Sequence, residues 1–260
     1  MEVTLVAAPN ITRLIFRNIR VNTDPASLLI LLGLPTMYLI FFGYGFQSLV
    51  ASAGPGPSYL RYLTPGIMAF QAVMAGTVGG SMLWADRRWG MLAQLLVGPF
   101  TRLEYLLGIM LTSVLFGLGG ALVMLGVSGL LLGAMAISVA GVAAIFGTIA
   151  LGSIFFGSLM LLISAWVKSN NAYNSIQVLV LFLVNFASTV FYPLSPSLPA
   201  PLKALFLVNP LTYVADAVRG GYLGTFSVTD GIEVLVLALE SLAVLLLATR
   251  AYLRSDVSME

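Results

Sequence analysis

The chain is a series of long apolar runs separated by short polar breaks, and the runs predict its elements. Ala26–Val50 carries no charge, and Leu60–Ala85 carries only Arg61, at one end. No charged residue falls between Glu104 and Lys168; Gly133–Ser138 divides that stretch into Leu103–Leu132 and Val139–Trp166. Ala172–Tyr192 and Ile232–Tyr252 complete the series. About 20 apolar residues suffice to cross the hydrocarbon of a bilayer. The pattern therefore predicts an all-α polytopic membrane protein with six transmembrane helices between residues 26 and 254.

The polar breaks predict the rest. In residues 1–25, Ile11–Val21 reads as an amphipathic helix: Arg13, Arg17 and Arg20 recur at i, i+4 and i+7, with Ile11, Leu14, Ile15 and Ile19 mostly on the other side. Such a helix lies in the membrane interface or stands as a short soluble helix with a solvated basic face. Asp24-Pro25 ends it. Ser52–Ser58 is a turn-rich loop. Thr64-Pro65-Gly66 marks a kink or a broken first turn in the second span. Gly76, Gly79, Gly80 and Ser81 form a small-residue patch of the kind that lets helices approach closely in lipid.

Asp86–Arg102 is the one charged, Gly/Pro-punctuated island in the first two-thirds of the chain. Arg87, Arg88 and Arg102 flank an amphipathic piece, Trp89–Val97, closed by Gly98-Pro99. Residues 193–230 differ in kind, because five prolines divide short apolar pieces. Asn209-Pro210 is a helix start, an N-cap followed by proline at the first helical position. Gly220-Gly221 is expected to weaken or end that helix, and Asp216 can pair with Arg219 at i, i+3. Pieces this short read as re-entrant or interfacial helices.

Composition agrees with this picture. The chain of 260 residues is 59% hydrophobic and 8% charged, whereas soluble domains carry about 25% charged residues. A formal charge of +2 without a basic run argues against a nucleic-acid partner. Cysteine and histidine are absent, which leaves no disulfide framework, no thiolate or histidine metal site and no histidine acid/base catalysis. No signal peptide is expected, since the first apolar run is too long for an h-region. Six spans place both termini on one side. That side holds Arg13, Arg17, Arg20, Arg87, Arg88, Arg102, Lys168, Arg250 and Arg254, against Arg61, Lys203 and Arg219 on the other. By the positive-inside rule the termini, the island and the tail 255–260 are cytosolic and residues 193–230 external.

Nucleotide-binding and hydrolase motifs are missing: GxxxxGK[ST], HExxH and GxSxG do not occur. Glu240, near the middle of the sixth span, is the odd ionisable residue, and such groups usually face protein or water. Tyr38 and Phe42, at i and i+4, sit deep enough in the first span to line a path.

Three blocks carry a family likeness: Tyr62-Leu63-Thr64-Pro65-Gly66; the island, with Asp86-Arg87, Gly90, Leu92, Leu95-Leu96, Pro99 and Arg102, leading to Gly108; and Asn209-Pro210-Leu211 with Asp216 and Arg219. In order and spacing the chain resembles the ABC type-2 transporter permeases, the membrane halves of exporters for drugs, lipids and polysaccharides. The resemblance implies a non-catalytic permease in the cytoplasmic (inner) membrane that pairs with a second copy and docks on a separate P-loop ATPase, which holds ATP and Mg; this chain would bind no cofactor. It implies that Asp86, Arg87, Gly90, Leu92, Pro99 and Arg102 belong to a cytosolic coupling helix, that Arg13, Arg17 and Arg20 lie on the N-terminal interface helix, and that Asn209, Pro210, Asp216 and Arg219 lie on external helices dipping back into the membrane. The first, second and fifth spans would line the substrate path, with Tyr38, Phe42, Gln71 and Asn185 as candidates. Where the family often has acidic residues, this chain has Arg88 and Ala93, so its island is more basic. Two other readings stay open: a secondary transporter driven by an ion gradient through Glu240, and a non-transporting scaffold.

Overall fold

The computed structural model describes residues 9–51, 58–133, 137–195 and 197–255. Among them the chain is all helical, without a strand. Most of the Ser52–Ser58 loop, the middle of the Gly133–Ser138 turn and the tail beyond Ser255 lie outside the described residues.

Helix α1 is Asn10–Asn22. Pro25–Leu28 opens α2, a π-helical turn Leu29–Gly33 follows without a break, and Leu34–Ala51 completes it. Asp24 starts α2 by accepting from the backbone N–H groups of Ala26 at 3.1 Å and Ser27 at 3.2 Å. Helix α3 is Tyr59–Arg88, α4 is Met91–Val97, α5 is Arg102–Leu132 and α6 is Val139–Trp166. Helix α7 is Asn170–Phe186, α8 is Ala200–Val208, α9 is Pro210–Leu223 and α10 is Val228–Arg254.

Most starts are chemically marked. Thr101 and Glu104 form a reciprocal capping box at α5, and Ser227 and Asp230 form another at α10. Ser138 and Ser169 cap α6 and α7, and the Asn209 side chain accepts from Leu211 N at 3.0 Å ahead of Pro210. Each such cap satisfies an otherwise orphaned N–H and contributes about 1 kcal/mol.

Among the described residues five helical stretches are long and apolar enough to cross a membrane: Pro25–Gln47, Tyr59–Arg88, Arg102–Leu132, Val139–Trp166 and Val228–Arg254. The segment expected as the fifth of six spans departs from Ala172–Tyr192. Its helix stops at Phe186, after 17 residues, and the chain turns back on itself over 187–192. Asn209 Nδ2 holds that turn, donating to the carbonyls of Val184 at 2.7 Å and Ala187 at 2.8 Å.

Helix α3 is the hub, with 89% of its most apolar window buried inside the protein. In lipid no hydrophobic force drives two helices together, so close backbone approach matters more. The small residues of α3 provide it. A Cβ on Gly76 would lie 2.6 Å from the Phe156 carbonyl carbon of α6, and Gly79 and Gly80 press on Ser113 and Met160. Helix α9 seats against α6 by the same means, through Gly221 and Gly141.

Two expected interruptions are absent for one reason. Thr64-Pro65-Gly66 does not end or break α3, which runs as one helix through Pro65. Gly66 is instead a packing site, where an added Cβ would strike the backbone of Val190 in the 187–192 turn. Gly220-Gly221 does not end α9, which continues to Leu223 and stops at Gly224 with φ +71°. In both cases tertiary packing, rather than helix propensity, is what the glycine serves.

The core has two parts. One surrounds α3 with Phe70, Val73, Ile149, Phe156, Val214 and Val218. The other lies beneath α4, where Leu14, Leu83, Leu92, Tyr105, Leu161 and Tyr252 meet.

Candidate functional site

The island folds into a bent arm, called the lever for its shape alone: the end of one helix, a reversal and a short helix. Asp86–Arg88 are not loop residues but the last turn of α3. The chain then reverses at Gly90, which has φ +69°, and α4 begins at Met91 rather than at Trp89. That left-handed conformation favours glycine, and an L side chain there costs about 1–2 kcal/mol.

The lever is fixed from within. Asp86 is buried, and Arg17 of α1 grips it with two nitrogens, at 2.7 and 2.5 Å. Tyr105 Oη donates to the same carboxylate at 2.7 Å. The hydrogen bond to Asp86 raises the Arg17 pKa further, against the opposing effect of burial. Arg87 is also buried and donates to the Ser164 carbonyl near the end of α6 at 2.6 Å. Leu92 plugs the lower core. Pro99 offers its carbonyl to Asn10 Nδ2 at 2.9 Å, and Arg13 lies over the Phe100 ring at 5.6 Å. Arg102 donates to the carbonyls of Leu253 at 3.1 Å and Ser255 at 3.2 Å, capping the end of α10. The basic stripe of α1 is thus divided: Arg13 and Arg17 turn toward the island, and Arg20 is exposed.

What the island leaves outside is apolar. Trp89 is 76% exposed and Val97 90%, with Met91 exposed between them. Arg88 lies over the Trp89 ring at 5.4 Å.

The opposite end of the bundle carries a second constellation, on α9, α3 and the 187–192 turn. Asp216 and Arg219 pair at 2.5 Å. Thr189 Oγ1 donates to Asp216 at 2.8 Å, and Arg219 donates to the Thr189 carbonyl at 2.8 Å. The guanidinium of Arg219 also stacks on Tyr62, 4.0 Å from the ring centroid, while Tyr62 Oη donates to the Thr189 carbonyl at 2.8 Å. Burial raises the Asp216 pKa despite the nearby arginine. Four expected residues, Asn209, Pro210, Asp216 and Arg219, therefore fall in one latch. Its other members, Tyr62 and Thr189, gave no local signal of this role.

The candidate path residues fall in two groups. Tyr38 and Phe42 converge with Phe191, at centroid distances of 5.8 and 5.2 Å, and Tyr38 meets Phe70 at 6.1 Å. Gln71 is fully buried against Gly120 of α5, and its amide has no hydrogen-bond partner among the described residues. Asn185 is buried near the end of α7, where its Oδ1 is likewise unpartnered. Glu240 Oε2 has no partner among the described residues, and Tyr213 of α9 lies within electrostatic range of it.

An inwardly tied bend with an apolar outer face stands at one end of the helical bundle, and the charged latch stands at the other. No curated protein matches the chain. The sequence pattern of a family described as ABC-2 type transporter matches residues 11–223, from α1 through the lever to the end of α9 and its latch, with α10 beyond the match. The chain therefore belongs to the ABC-2 type transporter family, as a multi-pass membrane permease.

Proposed function

We propose that this chain is the permease subunit of an ATP-driven exporter, which moves a hydrophobic or amphipathic substrate (a drug, lipid or glycan) out of the cytosol. The ABC-2 family is generally a non-catalytic membrane subunit that works with an ATPase. The observation that carries the reading is α4. Its inner residues are locked into the bundle by Asp86, Arg87, Leu92 and Arg102, while Trp89, Met91 and Val97 point outward without cover. An apolar patch held this rigidly fits the cleft of a partner protein better than it fits water.

In this reading both termini and α4 are cytosolic, as the nine-to-three excess of basic residues favours. Helix α7 supplies the remaining crossing, fifth in chain order. Its 17 residues reach about 25 Å at 1.5 Å per residue, so the membrane is thinned or the helix is met by partner chains. Its face of Leu179, Phe182, Leu183 and Phe186 is exposed, as are Phe41 and Tyr44 of α2. These faces suit a second copy of the chain. Closure of the ATPase dimer on ATP would push α4, and the push would pass undamped to α3 and α5, because Asp86, Arg87 and Arg102 tie α4's flanks to α1, α6 and α10. The substrate then passes beside Tyr38 and Phe42, and the Asp216–Arg219 latch holds the outer end closed.

Gentle purification of the tagged chain, with mass spectrometry of what accompanies it, tests the proposal. A stoichiometric P-loop ATPase is expected. Its absence under conditions that preserve other such complexes would favour the gradient-driven alternative at Glu240.

A further inference from the structure

Where α6 and α10 end side by side, a surface cavity of about 470 Å³ opens between them, lined by Trp166, Leu247, Arg250 and Arg254. Trp166 is 70% exposed, and both arginines are exposed. Arginines in the last turn of a helix commonly bond its terminal carbonyls. Here Arg102 has taken that role from α5, bonding Leu253 and Ser255. Among the described residues neither Arg250 nor Arg254 has an ion pair or side-chain hydrogen bond. Spaced i, i+4, they lie on one face of the helix and present two positive charges together. One turn before Arg250, Leu246 and Leu247 are more than half exposed, so an apolar strip leads along a membrane span directly to the charges.

We propose that this cavity binds the headgroup of an anionic phospholipid. The two guanidinium groups take the phosphodiester, Trp166 sits at the level of the glycerol backbone, and an acyl chain lies along Leu246 and Leu247. Charge complementarity selects an anion, and the apolar strip on a membrane-spanning helix selects a lipid over a soluble one. Tryptophan at a span end favours the same depth. Only the choice of leaflet, the cytosolic one, rests on the exporter reading.

The test is lipid retention. The full chain is reconstituted with equal amounts of phosphatidylglycerol and phosphatidylcholine, extracted again, and weighed by native mass spectrometry. The wild type is expected to retain phosphatidylglycerol selectively. R250Q/R254Q should lower that retention by roughly fivefold for each arginine lost, while R61Q/K203Q, which removes two charges elsewhere, should not. L247W fills the cavity and keeps both charges; it should lose the lipid as well, which separates the site from general basicity. Melting in phosphatidylcholine alone verifies that each variant is folded. Equal retention by folded R250Q/R254Q, or equal loss in R61Q/K203Q, overturns the proposal. Displacement of the lipid by excess inorganic phosphate also overturns it, in favour of a soluble phosphate ligand. The assay contains no ATPase, so its result is independent of whether the chain drives export.

Discussion

Arg17 and Asp86 stand 69 positions apart in the chain and form a two-pronged ion pair, with contacts of 2.7 and 2.5 Å. The pair joins the first helix to the last turn of the most buried one, directly above the reversal at Gly90. Asp86 thereby positions the lever rather than forming part of its outer face. Removing one partner of a buried ion pair costs about 3–5 kcal/mol. Arg17 retains some solvent access, with 27% of its side chain exposed, so R17M should cost about 2–3 kcal/mol. R17M/D86N should recover part of that loss, because no uncompensated buried charge remains. Thermal melting of the four proteins of this cycle measures the coupling.

Gly90 sets the angle of the lever. G90A should cost about 1–2 kcal/mol from its left-handed backbone alone, since nothing lies within 4 Å of the added Cβ. G90N should cost less, because asparagine tolerates that conformation better. Under the exporter reading both variants insert normally, and substrate-stimulated ATPase activity of the complex falls more in G90A. Unchanged stimulation in G90A would remove the lever from the mechanism.

Gly66 and Gly147 are both helical glycines, and they should respond in opposite ways. At Gly66 an added Cβ meets the backbone of Val190, whereas at Gly147 nothing lies within 4 Å. G66A should destabilise by about 1–3 kcal/mol through overpacking. G147A should be neutral or stabilising by up to about 1 kcal/mol through helix propensity. Melting temperatures in one detergent decide the comparison.

At the latch, Asp216 and Arg219 should not be equivalent. Burial raises the Asp216 pKa above its ordinary carboxylate value. A carboxyl raised on folding contributes stability that is full below its ordinary value and is lost as pH rises through the raised one. D216N should therefore be tolerated within about 1 kcal/mol near neutrality. R219M should cost about 2–3 kcal/mol, because it leaves the half-buried Asp216 carboxylate, 29% exposed, without its partner. As pH falls from neutrality toward the ordinary carboxylate range, the wild type should gain stability relative to D216N. A melting series over pH shows whether the difference grows in that direction.

Arg102 caps α10 from a neighbouring helix. R102A should leave the carbonyls of Leu253 and Ser255 to solvent and fray the last turn, at a cost of about 1 kcal/mol. Faster amide exchange confined to the C-terminal end of α10 is the expected readout.

The sequence carried the spans well because crossing a bilayer is a property of local composition. Val139–Trp166 has the predicted bounds, and Arg102–Leu132 begins one residue early. The Asn209-Pro210 start was also legible, since an N-cap acts within three residues. The capping box of Thr101 and Glu104 is just as local but went unread. The Arg17–Asp86 pair, the Arg102 cap and the hold of Thr189 on Asp216 were not legible, because each joins residues brought together only by packing. The glycines misled for the same reason. A glycine pattern cannot distinguish a helix end from a helix contact, and at Gly66 and Gly221 the contact prevailed. Ala172–Tyr192 looked like one span because its apolarity continues past the point where Asn209 draws the backbone into a turn.

The ties of α1 also impose an order on biosynthesis. Asn10, Arg13, Arg17 and Asn18 leave the ribosome before their partners Asp86, Pro99, Phe100, Glu104 and Thr112, which follow 69 to 94 positions later. At about 5–20 residues per second, α1 waits on the order of 4–20 s for its docking site to be translated. During that interval its apolar side, with Leu14 at the centre, has no protein to cover it, and the bilayer surface is the available refuge. The amphipathic character of this helix is thus a property that the nascent chain needs, before it becomes one that the finished protein uses.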